Sequence, residues 1–244
     1  MRLKLTFRPL GNKRLELDYY DYLSRLLQKF LNDVSMDSCC KIHNDEYQSE
    51  NMKFNLLTFS ELFCPNYDID DYEIIVNSNV QWYISSPVKE LVLDFTDHLI
   101  KNKIMKVGEA ELEFVSLQHV KSLPINSSAR FRCLSPICID MPKIHGIKDY
   151  LLIDNENFKK QIKNNLVRKY YFLNNTLPEN MNLDIDILNF EECSEGKCIY
   201  IKNDIVRCYM PVFEVKGSRD LINIGYEAGF GSHNGMGLGM VETC

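Results

Sequence analysis

Two successive stretches of the chain show the same order of strand-like and helix-like patterns, and this repetition limits the possible folds more than any other feature. Residues 2–8 alternate apolar and polar side chains, with the period of two that is typical of a half-buried strand. From Tyr19 to Leu31, apolar residues recur at spacings of three and four, which predicts an amphipathic helix. The other elements predicted in this half are strands at 54–59, 72–76, 82–85 and 110–120 and a helix that begins near Pro87. The pair at 72–76 and 82–85 is predicted to form a hairpin, and with this hairpin counted as one element the order is βαββαβ.

The second half repeats that order after a loop-forming stretch from Pro124 to Ser128. Its predicted elements are strands at 130–139, 181–190, 199–201, 206–215 and 238–241 and helices at 157–173 and 218–227. We therefore predict an α+β fold of two tandem ferredoxin-like (βαββαβ) domains, at residues 1–122 and 129–244. A doubly wound parallel sheet is the competing fold, and the hairpin-like strand pairs in each half make it less favourable.

Composition restricts the compartment and the partners. The nine cysteines, without a secretory leader pattern at the start, indicate a reducing compartment, and we expect a cytoplasmic protein. No apolar run approaches the roughly 20 residues that a membrane helix needs, so no membrane association is expected. The cysteine spacings do not match paired zinc ligands, and neither a metal nor a cofactor is expected. The net charge of −6 argues against a general nucleic-acid coat protein, so any RNA must be bound by local positive charge.

Glycines are concentrated near the carboxyl end, where six of the eleven fall between Gly225 and Gly239. Glycine is used where the backbone needs positive φ or where a large group comes close to the main chain. Unpaired amides in such turns can form a concave site for phosphate oxygens. A Rossmann fingerprint is not supported, because the chain stops at Cys244, and a P-loop is excluded because no Gly-Lys-Ser/Thr follows. A plain turn between a helix and a last strand remains the alternative.

Positive charge is concentrated in the predicted helix at 157–173, which contains no acidic residue. A helix of this kind could follow an RNA backbone through phosphate contacts, although charged helix faces also serve solubility alone. Two arginines alternate along the strand that opens the second half and add to the same hypothesis. The cations in question are Lys159, Lys160, Lys163, Arg168 and Lys169 on the helix and Arg130 and Arg132 on the strand.

The glycine pattern is more specific than a cluster. Gly229-Phe230-Gly231, five residues, and then Gly237-Leu238-Gly239-Met240-Val241 resembles the glycine-rich signature of the repeat-associated RNA-binding proteins of CRISPR systems. The most similar members are the endoribonucleases that cut the precursor repeat transcript into guide RNAs. Lys53-Phe54-Asn55-Leu56-Leu57-Thr58-Phe59-Ser60 and Leu134-Ser135-Pro136-Ile137 also resemble stretches of that family. The loop residues that we expect to bind RNA are Gly229, Gly231, His233, Gly235, Gly237 and Gly239. For His233 the alternative is a loop histidine that is merely exposed to water.

The resemblance implies metal-independent cleavage, with products ending in a 2′,3′-cyclic phosphate and a 5′-hydroxyl. In this chemistry the RNA 2′-hydroxyl attacks the adjacent phosphorus, a base removes its proton, and a cation stabilises the phosphate charge. His43 and Lys53 match the family's catalytic histidine and assisting lysine. A catalytic tyrosine that some members carry fifteen residues before the histidine is replaced here by Gln28, which can donate a hydrogen bond but is not a proton donor of the required acidity.

These features predict an endoribonuclease that binds CRISPR repeat RNA, with transfer of the guide RNA to an interference complex and with homodimer formation left open. The alternative is a non-cleaving repeat-RNA-binding subunit, to which the substitution at Gln28 gives weight. A third hypothesis is an enzyme that binds a small phosphorylated ligand or nucleotide cofactor at the glycine turns.

Overall fold

The computed structural model of the chain describes residues 1–33, 56–121, 126–141, 149–201 and 204–244. In the first half the elements are β1 (Arg2–Leu10), β2 (Arg14–Glu16), α1 (Tyr19–Asp33), β3 (Thr58–Phe59), β4 (Tyr67–Asp70), β5 (Glu73–Val76), β6 (Val80–Ser85), α2 (Lys89–Asn102), β7 (Ile104–Val107) and β8 (Ala110–His119). Within the described ranges, no helix is long and apolar enough to cross a membrane.

The first half is built around one antiparallel sheet with the strand order β3-β6-β1-β8-β7. The alternation predicted for β1 is confirmed, because Leu3, Leu5 and Phe7 are fully buried on one face. The two helices cover that face: the rings of Phe30 on α1 and Phe95 on α2 are 5.1 Å apart. With α1 between β1 and β3 and α2 between β6 and β8, this is the βαββαβ order of a ferredoxin-like sheet.

The hairpin predicted from residues 72–76 and 82–85 is wrong. β5 pairs with β2 and β4 in a separate three-stranded sheet, whereas β6 pairs with β1 and β3 in the main sheet. The apolar residues of β5 gave a strand pattern, but pattern alone does not specify the partner strand. Pairing is decided by the long-range register, here Thr58 opposite Ser85.

The second half repeats the topology. Its elements are β9 (Ser128–Cys133), α3 (Glu156–Asn174), β10 (Leu183–Ile187), α4 (Phe190–Cys193), β11 (Lys197–Ile201), β12 (Asp204–Cys208), β13 (Val212–Gly217), α5 (Arg219–Ala228), a 3-10 helix (Asn234–Met236) and β14 (Val241–Thr243). The sheet order β10-β13-β9-β14 is antiparallel throughout and again follows βαββαβ. The α+β class and the tandem ferredoxin-like architecture are therefore confirmed.

Several predicted strands in this half have different bounds, and the last of them, expected at 238–241, begins only at Val241. The strand expected at 130–139 ends at Cys133, and the strand expected at 181–190 ends at Ile187, where the chain turns into α4. The strand expected at 206–215 is two strands, β12 and β13, because Pro211 interrupts the run. That the chain divides into two domains, at residues 1–122 and 129–244, stays a prediction.

The hairpin of β11 and β12 is inserted between the second and third strands of the second sheet and joins the two halves. Its apolar residues Ile199, Ile201 and Val206 are buried in the same core cluster as the first sheet. At its edge Lys197 forms an ion pair with Glu61, whose carboxylate also accepts a 2.8 Å hydrogen bond from the hydroxyl of Tyr20. The two sheets therefore share a packed junction.

A second contact across the junction is made by Arg2, which is 4% exposed. Its guanidinium donates to the carbonyl oxygens of Val241 at 2.6 Å and Tyr226 at 2.5 Å, and lies 3.8 Å from the centre of the Tyr226 ring. Charge-assisted hydrogen bonds of a buried guanidinium are strong, and the carbonyls have no access to water if the donor is removed.

We expect Arg2→Met to lower the free energy of unfolding by about 2–4 kcal/mol, because it leaves two buried carbonyls without their donor. Arg8 on the same strand is a matched control: its ion pair with Glu113 is exposed on the arginine side, and Arg8→Met should change the free energy by less than about 1 kcal/mol. Urea denaturation of both variants provides the measurement. Equal losses would show that Arg2 is not a junction contact of special importance.

Candidate nucleic-acid interface

The glycine loop, defined here as residues 229–240, connects α5 to β14 at the junction of the two sheets. α5 begins after Ser218, which caps the helix: its hydroxyl accepts a 3.4 Å hydrogen bond from the amide of Leu221. It ends at Ala228, and the next residue, Gly229, has φ +86° and donates its amide to the carbonyl of Gly225 at 2.9 Å. The loop therefore leaves the helix through a backbone geometry that favours glycine.

Most of the loop's backbone is used inside the protein. The amide of Gly237 donates to Asn234 at 2.9 Å, and that of Gly239 donates to Pro136 at 2.7 Å. The prediction that unpaired amides of the glycine turns form an open phosphate nest is therefore wrong for Gly229, Gly237 and Gly239. The surface that the loop offers to a ligand is the stretch from Ser232 to Met236, in which all residues except the buried Asn234 are half-buried, His233 and Gly235 among them.

Close packing explains why these positions are glycine. A Cβ on Gly239 would lie 1.9 Å from the carbonyl oxygen of Phe230, and one on Gly237 would lie 2.2 Å from the ring of Phe59 in the first half. A Cβ on Gly231 would lie 2.5 Å from the carbonyl oxygen of Cys138. The glycines let the loop pass between the two sheets, where a larger side chain has no space.

A buried lysine on α3 hydrogen-bonds the loop from the side of the core. Lys169 on α3 is 1% exposed, and its Nζ donates to the carbonyl of Gly229 at 2.5 Å and to Oδ1 of Asn234 at 2.6 Å, with the carbonyl of Gly231 at 3.4 Å. The amide group of Asn234 in turn donates to the carbonyls of Phe230 and Leu238. Burial lowers the pKa of Lys169 to about 7, and the two short contacts suit even a neutral amine, which keeps two donors.

Lys169 is therefore a correction to the predicted RNA-binding set. Its position on the helix places it with Phe158, Ile162 and Leu166 on the face that packs into the core. An ammonium whose donors are used by loop oxygens cannot also contact phosphate. Its role is to position the loop, and sequence composition alone could not separate it from its neighbours.

The other cations of α3 do not form one continuous face. At about 100° per residue, Lys159 and Lys163 lie side by side, with Lys160 next to them, whereas Arg168 lies on the opposite side. Lys159 and Lys160 are exposed and Lys163 is half-buried. These three lysines, named here the lysine patch, begin roughly 9 Å along the helix from Lys169.

The two predicted strand arginines lie on the face of the second sheet that α3 and α5 leave uncovered. Arg130 and Arg132 are both exposed, as the alternation predicted, and Arg132 pairs with Glu242 at 2.6 Å. The strand register brings further acidic groups to this face, Glu214 opposite Arg130 and Asp186 opposite Glu214. Since acidic side chains surround them, these arginines make a weaker site for phosphate than the sequence indicated.

Of the three predicted catalytic residues, the structure describes one. His43 and Lys53 lie in 34–55, outside the described residues, and Gln28 is exposed on α1. The hydroxyl of Tyr20 hydrogen-bonds Glu61, and burial raises the pKa of Tyr20 well above its ordinary value. Tyr20 is buried and its hydroxyl is already hydrogen-bonded, so it does not substitute for the catalytic tyrosine that is absent at position 28.

The elements on either side of the 34–55 segment both reach the glycine loop. The loop's 3-10 helix packs against α1, which precedes the segment, and against β3, which follows it. The hydroxyl of Thr58 on β3 donates to the carbonyl of Leu238 at 3.2 Å. Asn234, the central residue of this contact network, was missed by sequence reasoning, although an asparagine within a glycine run is a recognisable turn signal.

Comparison with known proteins gives consistent results. Residues 118–243 match the family model described as CRISPR associated protein Cas6, C-terminal. The CRISPR-associated endoribonuclease Cas6 1 of Methanocaldococcus jannaschii is 33% identical over 247 residues, covering 99% of this chain and 92% of the relative. A solved structure described as CRISPR associated protein Cas6 is 28% identical, with a TM-score of 0.81 and coverage of 100% of this chain and 99% of that one. The product of a Cas6-related gene from Pyrococcus furiosus has a TM-score of 0.87 with 22% identity, over 100% of this chain and 98% of that one, a likeness that concerns the fold.

We expect Gly239→Ala to destabilise the protein by about 3 kcal/mol or more, since positive φ and a clash with the Phe230 carbonyl both oppose the new methyl group. Gly235→Ala is the matched control, because Gly235 lies in the 3-10 helix and is not among the glycines with positive φ. It should cost less than about 1 kcal/mol. Chemical denaturation compares them, and equal tolerance of both alanines would contradict the packing role.

Proposed function

Because this chain belongs to the Cas6 family of CRISPR-associated proteins, we propose that it is an endoribonuclease that binds CRISPR repeat RNA and cleaves the precursor transcript into guide RNAs. The observation that carries the proposal is the full-length likeness to a Cas6 endoribonuclease, together with a glycine loop that lies between two ferredoxin-like sheets. Handover of the product to an interference complex, in the cytoplasm, is part of the same proposal.

In the proposed mechanism, the nucleophile is the 2′-hydroxyl of the RNA itself. His43 removes the proton of that hydroxyl, because an imidazole with an ordinary pKa near 6.5 exchanges protons at neutral pH. The oxygen attacks the adjacent phosphorus, the bond to the 5′-oxygen breaks, and the products are a 2′,3′-cyclic phosphate and a 5′-hydroxyl. Lys53 stabilises the additional negative charge on the phosphate as this happens.

Gln28 has a positioning role in this proposal. Its amide can donate a hydrogen bond to a phosphate or hydroxyl oxygen but cannot supply a proton to the leaving oxygen. The leaving 5′-oxygen therefore takes its proton from the imidazolium of His43, or from water, in which case His43 releases the accepted proton to solvent. Exposure of Gln28 on α1, the helix against which the loop's 3-10 helix packs, supports its placement near the RNA.

The RNA is proposed to lie across the junction of the two sheets. The stretch Ser232–Met236 of the glycine loop and the lysine patch belong to the second half, whereas His43, Lys53 and Gln28 belong to the first. Thr58, which contacts the loop, follows Lys53 by five residues in the chain. A strand of RNA held by the loop and the patch would then present its backbone to groups of the first half.

The second candidate is a repeat-RNA-binding subunit that does not cleave. The residue at position 28 favours it, because the tyrosine that some members of the family carry is absent. Both candidates share the interface described above and differ only in turnover. Whether the protein works as a homodimer does not alter either of them.

Cleavage of repeat RNA in excess EDTA tests the proposed reaction. We expect product with a 2′,3′-cyclic phosphate, identified by mass spectrometry, and a loss of about 100-fold or more in rate for His43→Ala. His119→Ala, which changes an exposed histidine of β8, should cleave as the wild type does. A requirement for added metal, or an unchanged rate in His43→Ala, would refute the mechanism, and tight binding without product would favour the non-cleaving candidate.

Salt dependence of binding tests the lysine patch. Replacing Lys159, Lys160 and Lys163 together by Gln should weaken RNA binding and reduce the slope of log K against log salt by about 2, since each phosphate contact contributes about 0.7 for a single strand. The control replaces three exposed lysines of the first half, Lys101, Lys103 and Lys106. If both triple variants lose affinity and slope equally, the patch is not the phosphate contact.

A further inference from the structure

Three side chains of metal-ligating type come together beside the glycine loop. Cys138 and Asp140 lie in the extended segment after β9, and His233 lies in the loop. Residues two apart in an extended chain point to the same side, so the thiol and the carboxylate face the loop together. One ligand atom from each of the three residues lies within 4.8 Å of the other two.

The histidine is held in an uncommon conformation that directs its ring toward this cluster. His233 has φ +58° and ψ +32°, in the left-handed region that few residues other than glycine occupy. Its Nε2 lies 2.8 Å from Oδ1 of Asp140, but this contact is not aligned as a hydrogen bond, and in the described part of the chain the buried Nε2 has no other partner. A buried ring nitrogen that makes no hydrogen bond is unfavourable, and a cation bound between it and the Asp140 carboxylate would satisfy both groups.

The backbone holds the two segments in place without any ligand. The amide of Ser232 donates to the carbonyl of Cys138 at 2.8 Å, and the amide of Asp140 lies 3.3 Å from the hydroxyl oxygen of Ser232. Gly231 permits this approach, since a Cβ there would collide with the Cys138 carbonyl. These hydrogen bonds already position the segment that carries Cys138 and Asp140 against the loop that carries His233, so that a metal would bind a preformed site.

We propose that Cys138, Asp140 and His233 form a zinc-binding site that fixes the glycine loop to the segment following β9. A sulfur, an imidazole nitrogen and a carboxylate oxygen are the ligand types that zinc prefers, at about 2.0–2.3 Å from the ion. Tetrahedral ligation at these lengths sets ligand atoms roughly 3.3–3.8 Å apart, so the observed cluster needs only small side-chain adjustments.

Zinc binding releases one proton. The Cys138 thiol releases its proton to the buffer as sulfur bonds zinc, His233 binds as neutral imidazole through Nε2, and Asp140 binds as carboxylate. The side chain of Asp140 is 46% exposed, which leaves the fourth position open to water. The site does not depend on whether the chain cleaves RNA, although His233 belongs to the loop stretch that is proposed to contact RNA.

The test is zinc binding by the full chain after treatment with chelator and removal of the chelator. Wild type should bind one zinc more than Cys138→Ser, Asp140→Asn or His233→Asn, and those variants should lose that site or bind it at least about tenfold more weakly. Asparagine is chosen at 233 because it tolerates the left-handed conformation. With cobalt in place of zinc, a thiolate charge-transfer band should appear in the wild type and be absent in Cys138→Ser.

Two matched controls separate this site from other thiols and histidines. Cys198→Ser changes an exposed cysteine and His119→Asn an exposed histidine, and both should retain the full zinc stoichiometry. If Cys138→Ser fails to fold by circular dichroism, the two other ligand variants decide. A wild type that binds no zinc, or ligand variants that keep the same stoichiometry and affinity as wild type, would overturn the proposal.

Discussion

The placement of the glycine loop depends on one buried polar network, in which Lys169 and Asn234 donate hydrogen bonds to the loop's carbonyl oxygens from the side of the core. Turns of this length carry many backbone carbonyls, and burying them without donors is unfavourable by about 1–3 kcal/mol each. The lysine nitrogen and the asparagine amide supply donors to Gly229, Phe230 and Leu238. Because these donors lie on the core side of the loop, the half-buried residues of the stretch from Ser232 to Met236 remain available to a ligand.

The same loop is also where the two halves meet. Phe59 of the first sheet lies against Gly237, Thr58 donates to Leu238, and Arg2 donates to the strand that follows the loop. The hairpin of β11 and β12 adds apolar burial and the Lys197 to Glu61 ion pair. A reaction that needs groups from both halves requires such a junction, because the relative placement of those groups is only as fixed as the packing between the sheets.

Charge in this protein is local. The chain is acidic overall, and the strand arginines that composition made attractive share their face with Glu242, Glu214 and Asp186. The lysine patch on α3 has one acidic residue in its own helix, Glu156 in the first turn, and Lys159 and Lys160 are exposed while Lys163 is half-buried. A small cationic surface on an acidic protein limits non-specific attraction to RNA, so affinity must come from a fitted site.

The sequence by itself determined the element types, their repeated βαββαβ order, the family and the importance of the glycine turns, because these depend on local periodicity and on short motifs. The tertiary structure alone decided which strands pair, as the separation of β5 from β6 demonstrates, and which side of α3 faces the core. Lys169 and its neighbour Arg168 are both cations in the sequence; the spacing of Lys169 from Phe158, Ile162 and Leu166 places it on their face, but only the packing shows that it binds the loop. The physical reason is that pairing, burial and ligand convergence, such as that of Cys138, Asp140 and His233, are set by contacts between residues that are distant in the chain.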